Sequence, residues 1–251
     1  MTIALPARAK LNFDLAVLGR RNDGFHEVRT TLQAIDLHDL VTLAQGDHTA
    51  LTLSGRALED TRTNSCLIAH AALEHASKKT LPTQIHLHKR IPPGAGLGGA
   101  SSDAATTLRG LAALHHLAID LAPIAEQLGA DVPFFLKGGT AMAEGRGERL
   151  TPVPTVRAWF AIAWPEFELL TPDVYRAWDE MPGDPPNELA KAAAHVEPRL
   201  NEFAAELGKG WQMTGSGSAF FRRCADETEA RQSIATLRCW TAVAQAIGPW
   251  A

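Results

Sequence analysis

The chain has 251 residues, 45% of them hydrophobic and 21% charged, enough to bury a core without disulfides or a structural metal. A net charge of −4 argues against nucleic acid as the main partner, because nucleic-acid-binding chains carry a basic surplus. Cys66, Cys224 and Cys239 form no C-x-x-C pair and no apolar run reaches the ~18 residues of a membrane helix, which excludes a zinc cage, a redox dithiol and a membrane span.

The opening MTIALPARAKLNF shows neither a secretory apolar region nor an amphipathic transit segment, so a cytoplasmic setting is expected. Residues 2–18 alternate irregularly, with Leu11, Phe13, Leu15 and Val17 on one parity, which predicts strand. Asp23-Gly24 marks a turn, and 28–43 and 49–53 read as further strands. Thr63-Asn64 opens a helix carrying Leu67, Ile68, Ala71 and Ala72, and QIHLHKR (84–90) is a short strand. After a glycine-rich loop, Ser101-Ser102 is the expected N-cap of a helix with Ala104, Leu108, Leu111 and Ala112 on one face. LAPIAEQLG is a helix ending at Gly129, and a turn, a short apolar stretch and a strand follow to Gly145. TPVPT (151–155) reads as a linker, since two prolines interrupt helix and ladder alike. Beyond it come a buried strand in AWFAIAWP, a helix from Thr171 to Trp178, the loop MPGDPP, and a helix over 187–208. Strand, glycine turn and strand follow in GWQMTGSGSAFFRRC, then a helix over 226–238 and a strand over 239–247. Strands and helices mix without strict alternation, which predicts α+β rather than a doubly wound sheet. The linker divides the chain into candidate domains 1–153 and 154–251.

The loop PPGAGLGGASSDAA (92–105) carries the most chemical information. Gly94, Gly96 and Gly99 fit G-x-G-x-x-G, but Pro92-Pro93 precede the turn and LAPIAEQLG supplies no second strand, so a dinucleotide fold is disfavoured. No Lys-Ser or Lys-Thr completes a Walker P-loop. A flexible turn would explain one or two glycines, not Gly94, Gly96, Gly98 and Gly99 together. Missing Cβ atoms ahead of a helix N-terminus expose backbone N–H groups, and these with the helix dipole attract phosphate.

This loop resembles the phosphate loop of the GHMP kinases, the galactokinase, homoserine, mevalonate and phosphomevalonate kinase superfamily. Further stretches fit in the same order: AKLNFDLAVLGRRNDGFHEV (9–28), ADVPFFLKGGTAMAEGRGE (130–148), NELA (187–190) and TGSGSAFF (214–221). The A-K-L-N…D-G-F-H-E block is similar to that of the isoprenoid-pathway branch whose substrate is 4-diphosphocytidyl-2-C-methyl-D-erythritol. The resemblance implies a two-domain α+β kinase fold, with an N-terminal domain like ribosomal protein S5 and a C-terminal ferredoxin-like α/β sandwich. It also implies a small-molecule substrate, ATP with Mg²⁺, no nucleic-acid or membrane partner, and a monomer or homodimer.

The resemblance implies roles for particular residues. Asp131 would accept the proton of the attacking hydroxyl, and Lys10 would fix that carboxylate and hold charge near the phosphoryl group; by themselves they read as a turn residue and a strand-end charge. Pro93, Gly94, Ala95, Gly96, Leu97, Gly98, Gly99 and Ala100 would wrap the ATP phosphates, with Ser101 and Ser102 offering hydroxyls to phosphate or metal. Asn64 and Lys89 would lie near adenosine. Asn12, Phe25, His26, Thr171 and Tyr175 would contact substrate, with Phe25, His26 and Tyr175 grouped on its cytosine. Phe25 stands where tyrosine is common, which keeps stacking and removes a hydroxyl bond. Gly215-Ser216-Gly217 would buttress the cradle. Gly99-Ala100 intervene before the serines, which leaves the metal ligands unassigned, and Asp14 replaces a usual apolar residue without a sequence explanation. The rivals are another GHMP kinase, of homoserine or mevalonate type, and a non-catalytic nucleotide-binding module.

Overall fold

The computed structural model describes residues 1–56 and 63–250. The chain packs into two compact units: Met1–Ala9, His38–Ile91 and Gly98–Lys137 make the first, and Lys10–Leu37, Pro92–Leu97 and Gly138–Ala251 the second. Strands β1 (Thr2–Asn12) and β3 (His26–Gln45) each contribute residues to both units.

In the first unit, the second half of β3 pairs antiparallel with β5 (Thr83–Lys89), and β4 (Ala50–Gly55) lies parallel on the other side of β5. Val41, Leu43, Ile85 and Leu87 point inward at alternate positions and are buried. Helix α1 (Ser65–Ser77) starts as expected, with the Asn64 side chain accepting from Cys66 N–H at 2.9 Å. Helix α2 (Gly99–Leu114) buries Ala104, Ala105, Leu108, Leu111 and Leu114, and packs closely on the strands because Gly110 has no side chain: a Cβ there would meet Leu43 Cδ1 at 2.4 Å. Helices α3 (Ala122–Leu128) and α4 (Val132–Lys137) complete this unit.

The N-cap of α2 differs from expectation. The helix begins three residues before Ser102, and its cap is Gly98 in the left-handed region (φ 73°), with Gly98 C=O already accepting from Ser102 N–H at 2.9 Å. A side-chain cap competes poorly here because the glycine turn curls the backbone directly into helix.

In the second unit, the first half of β3 pairs antiparallel with β2 (Ala16–Arg20) and β6 (Thr140–Gly145), and β6 pairs with β7 (Arg149–Val153). The expected linker at 151–155 is therefore partly strand, with Thr151 opposite Met142 and Pro152 opposite Ala141. Proline is tolerated because β7 is an edge, where one side of the ladder needs no N–H donor. A separate four-stranded antiparallel sheet has the order β11 (Trp240–Gln245), β8 (Trp159–Trp164), β10 (Phe220–Cys224), β9 (Gln212–Met213). β8 is central, which explains its unbroken apolar run. Helix α5 (Thr171–Glu180) belongs to the core that gathers Leu169, Val174, Leu189, Leu200, Met213 and Phe220. The helix expected over 187–208 is two, α6 (Ala190–Val196) and α7 (Arg199–Leu207). Pro198 forces Glu197 out of helical geometry (φ −135°, ψ 93°) and breaks them apart. Helix α8 (Glu227–Ile234) is capped by Asp226, which accepts from Glu229 N–H at 2.8 Å.

Candidate active site

In the second unit, β1 ends with Lys10, Leu11 and Asn12 against two glycine turns. The Lys10 backbone N–H donates to Leu97 C=O at 3.0 Å, and its ammonium donates to Gly96 C=O at 2.5 Å and Asn12 Oδ1 at 2.7 Å. Asn12 Nδ2 donates to Thr30 Oγ1 at 2.8 Å, and Asn12 N–H to Thr214 Oγ1 at 2.9 Å. Asn12, expected at the substrate, is buried and orients Lys10 through these bonds.

The turn Thr214-Gly215-Ser216-Gly217-Ser218 packs on the first half of the loop. Ala219 N–H donates to Ala95 C=O at 3.0 Å, and a Cβ on Gly96 would stand 2.3 Å from Thr214 O. Gly96 is glycine for this approach and for its φ of +75°. Asn187 holds the turn from outside, donating to Met213 C=O and Gly215 C=O at 2.9 Å each. Thr171 Oγ1 lies 2.9 Å from Ser216 Oγ, which joins the start of α5 to this turn.

A second cluster surrounds His26. Its ring stacks on Tyr175 at 4.8 Å (26° between planes) and meets Trp178 edge-on at 5.8 Å. His26 Nε2 lies 2.7 Å from Asp179 Oδ1, and since a carboxylate only accepts, Nε2 carries the proton. Arg20 approaches the other Asp179 oxygen at 3.5 Å. Phe25 is 54% exposed, with the Arg146 guanidinium 5.0 Å over its ring. The structure thus brings His26 and Tyr175 together and adds Trp178, Asp179 and Arg146, which sequence reasoning passed over. Arg146 had a signal, as the cation of a G-R-G turn inside the quoted 130–148 block; Asp179 had none, since its partner is 153 residues away.

Asp14 acquires a reason here. Its carboxylate accepts from Thr31 N–H at 2.6 Å and Thr31 Oγ1 at 3.1 Å, and its carbonyl accepts from Thr30 Oγ1 at 2.5 Å, which fixes the bend between β1 and β2 onto β3.

In the first unit, Gly98, Gly99, Ala100, Ser101 and Ser102 form the cap and first turn of α2. Ser102 Oγ is buried without a hydrogen-bond partner among the described residues. That orphaned hydroxyl beside helical N–H groups suits a phosphate oxygen. Asp131 lies within the turn in which Val132 N–H donates to Gly129 C=O at 3.2 Å, immediately ahead of α4. Asn64 and Lys89, expected near adenosine, bond through their side chains within the fold: Asn64 caps α1, and Lys89 sits between Asp39 and Asp103.

The two sheets, the paired glycine turns and the lysine between them define a small-molecule kinase of the GHMP class, and the GHMP kinases N terminal domain matches residues 65–139. The chain is 42% identical to the 4-diphosphocytidyl-2-C-methyl-D-erythritol kinase of Chromohalobacter salexigens, over 84% of this chain and 69% of that one. It is 36% identical to the enzyme of the same name from Tolumonas auensis, over 95% of this chain and 90% of the relative. A crystal structure of 4-(cytidine 5'-diphospho)-2C-methyl-D-erythritol kinase superimposes with a TM-score of 0.86 at 34% identity, covering 98% of this chain and 100% of that one. The chain belongs to the 4-diphosphocytidyl-2-C-methyl-D-erythritol kinase family, and it is an ATP-dependent small-molecule kinase.

Proposed function

We propose that the chain transfers the γ-phosphoryl group of ATP to the 2-hydroxyl of 4-diphosphocytidyl-2-C-methyl-D-erythritol, in the non-mevalonate isoprenoid pathway. The observation that carries the reading is the Lys10 ammonium bound to Gly96 C=O, a fixed cation in the phosphate loop itself. The names of relatives aligned over most of the chain supply the substrate. Residues 1–153 would be the ATP-binding domain and 154–251 the C-terminal domain; in support, the matched family segment lies within the former and the four-stranded sheet within the latter.

In this reading the loop from Pro93 to Ala100 and the N–H groups opening α2 bind the phosphates, with Ser101 and Ser102 contributing hydroxyls. Mg²⁺ would ride on the phosphate oxygens and offset their charge, as this cation favours phosphate and water ligands. Asp131 takes the hydroxyl proton as the new O–P bond forms and the γ-phosphorus leaves the bridging oxygen of ADP. Lys10 neutralises charge on the same group, the main task in a loose phosphoryl-transfer transition state. Asn12 contacts the substrate beside Lys10, to which it is bonded, and Asn64 and Lys89 lie near the adenosine. Phe25, His26, Thr171 and Tyr175 hold the cytidine end. Asp179 holds the Nε2 proton of His26, so in the neutral ring Nδ1 is left as an acceptor. Among the described residues no helix is long and apolar enough to cross a membrane. The enzyme is proposed to act in the cytoplasm, as a monomer or homodimer without nucleic acid.

The test is ADP release by wild type and Asp131→Asn, with and without the diphosphocytidyl substrate. Substrate-dependent turnover that falls about a thousandfold or more in the variant, with ATP binding intact, supports substrate and base together. Wild type that binds ATP but ignores this substrate and accepts homoserine or mevalonate moves the assignment to another GHMP kinase. ATP binding with no turnover of any alcohol makes it a binding module.

A further inference from the structure

A buried ion triad lies behind the first turn of α2. Asp39 on β3 is fully buried, Lys89 at the end of β5 is 5% exposed, and Asp103 on α2 is 1% exposed. The Lys89 ammonium donates to Asp39 Oδ2 and, at 2.7 Å, to Asp103 Oδ2. Asp39 Oδ1 accepts from the backbone N–H groups of Arg90 and Ile91 at 2.5 and 2.8 Å. β3, the exit of β5 and the start of α2 therefore converge on one ammonium.

This ammonium backs directly onto the glycine turn. A Cβ on Gly99 would stand 3.3 Å from Lys89 Nζ and 3.1 Å from Ile91 Cγ2, so the first residue of α2 rests on the lysine and on the residue that Asp39 fixes. Asp103 lies one helical turn on, at i+4 from Gly99, on the same face. Burying two carboxylates with one lysine is costly, and a well-packed apolar trio would hold strand to helix more cheaply. What the triad adds is direction: a lysine shared by two carboxyl groups, one of them tied to two backbone N–H groups, fixes an angle as well as a distance.

We propose that Asp39, Lys89 and Asp103 are positioning residues of the nucleotide site, clamping the first turn of α2 to the exit of β5 so that its N–H groups are set for phosphate before the nucleotide arrives. The proposal rests on the reading that this turn binds ATP. The triad acts through the backbone, and preorganisation lowers the ordering cost of binding. Burial, with Asp39 alongside and against the pull of Lys89, pushes the Asp103 carboxyl up to about 8.

Asp103→Ala removes one arm and leaves Lys89 paired with Asp39, so no unpaired carboxylate is created. With ATP and the alcohol varied in turn, the expected result is a KM for ATP raised about tenfold, with kcat and the alcohol KM within about twofold. ADP affinity measured by calorimetry falls in parallel, and Asp103→Asn, which keeps shape and a bond to Lys89, recovers most of the loss. A lowered melting temperature with an unchanged KM for ATP overturns the clamp, as does an equal rise in both KM values. If Asp103→Ala does not fold, Asp103→Ser replaces it under the same two outcomes. Wild type that fails to bind ADP overturns the underlying nucleotide reading, a result distinct from any difference between variants.

Discussion

At the scale of single residues, the site shows chemistry placed by neighbours that sequence spacing does not announce. Lys10 is visible at a strand end, but its direction comes from Gly96 C=O and Asn12 Oδ1. His26 is visible beside a turn, but the proton position on its ring comes from Asp179. Asp179→Ala should therefore raise the KM for the diphosphocytidyl substrate about tenfold, about 1.4 kcal/mol of binding, while kcat changes little. Steady-state kinetics at saturating ATP checks this, and an unchanged KM would make the Asp179 contact incidental. Gly96→Ala tests the loop itself. Its Cβ would lie 2.3 Å from Thr214 O at a φ of +75°, so urea unfolding should show a loss of at least about 1–3 kcal/mol. Asn64 was legible as a cap because Asx capping is local; the bonds of Lys89 were not, because Asp39 is 50 residues away.

At the scale of elements, local signals placed the strands and helices well where the signal is local. The Asn64 cap, the buried run of β8 and the Gly129 stop of α3 are each set by residues within a few positions. Errors occur where a neighbour overrides propensity. Pro152 joins a strand because β7 is an edge, and Ser101-Ser102 do not cap α2 because Gly98 supplies the bend first. The triad ties elements together, so its lysine is an element-scale residue. Lys89→Met leaves Asp39 and Asp103 buried without their cation, and it should cost about 3–5 kcal/mol of stability in urea unfolding, far more than Asp103→Ala. Equal losses in the two variants would show that Lys89 is not the hub.

At the scale of the whole molecule, the triad gives global stability a pH dependence. Asp103 binds its proton up to about 8 in the folded chain, against an ordinary value of 3.8. The folded state therefore holds more protons between those limits, and stability falls as pH rises through that window, with a slope no steeper than about 1.4 kcal/mol per pH unit from this group. Urea midpoints of wild type and Asp103→Asn should converge near the bottom of the window and diverge toward its top; parallel curves would remove Asp103 as the source. Sequence alone determined the phosphate-type glycine loop, the α+β mixture and most elements, because glycine turns, caps and apolar periodicity are written within a few neighbouring residues; the kinase class came from the resemblance of its motifs to the GHMP family. Only the tertiary structure decided that Asn12 orients Lys10, that Asp179 holds His26, and that Lys89 binds two carboxylates behind α2. Those pairings join residues distant in the chain, and hydrogen bonds and ion pairs act over a few ångströms of space, whatever the separation in sequence.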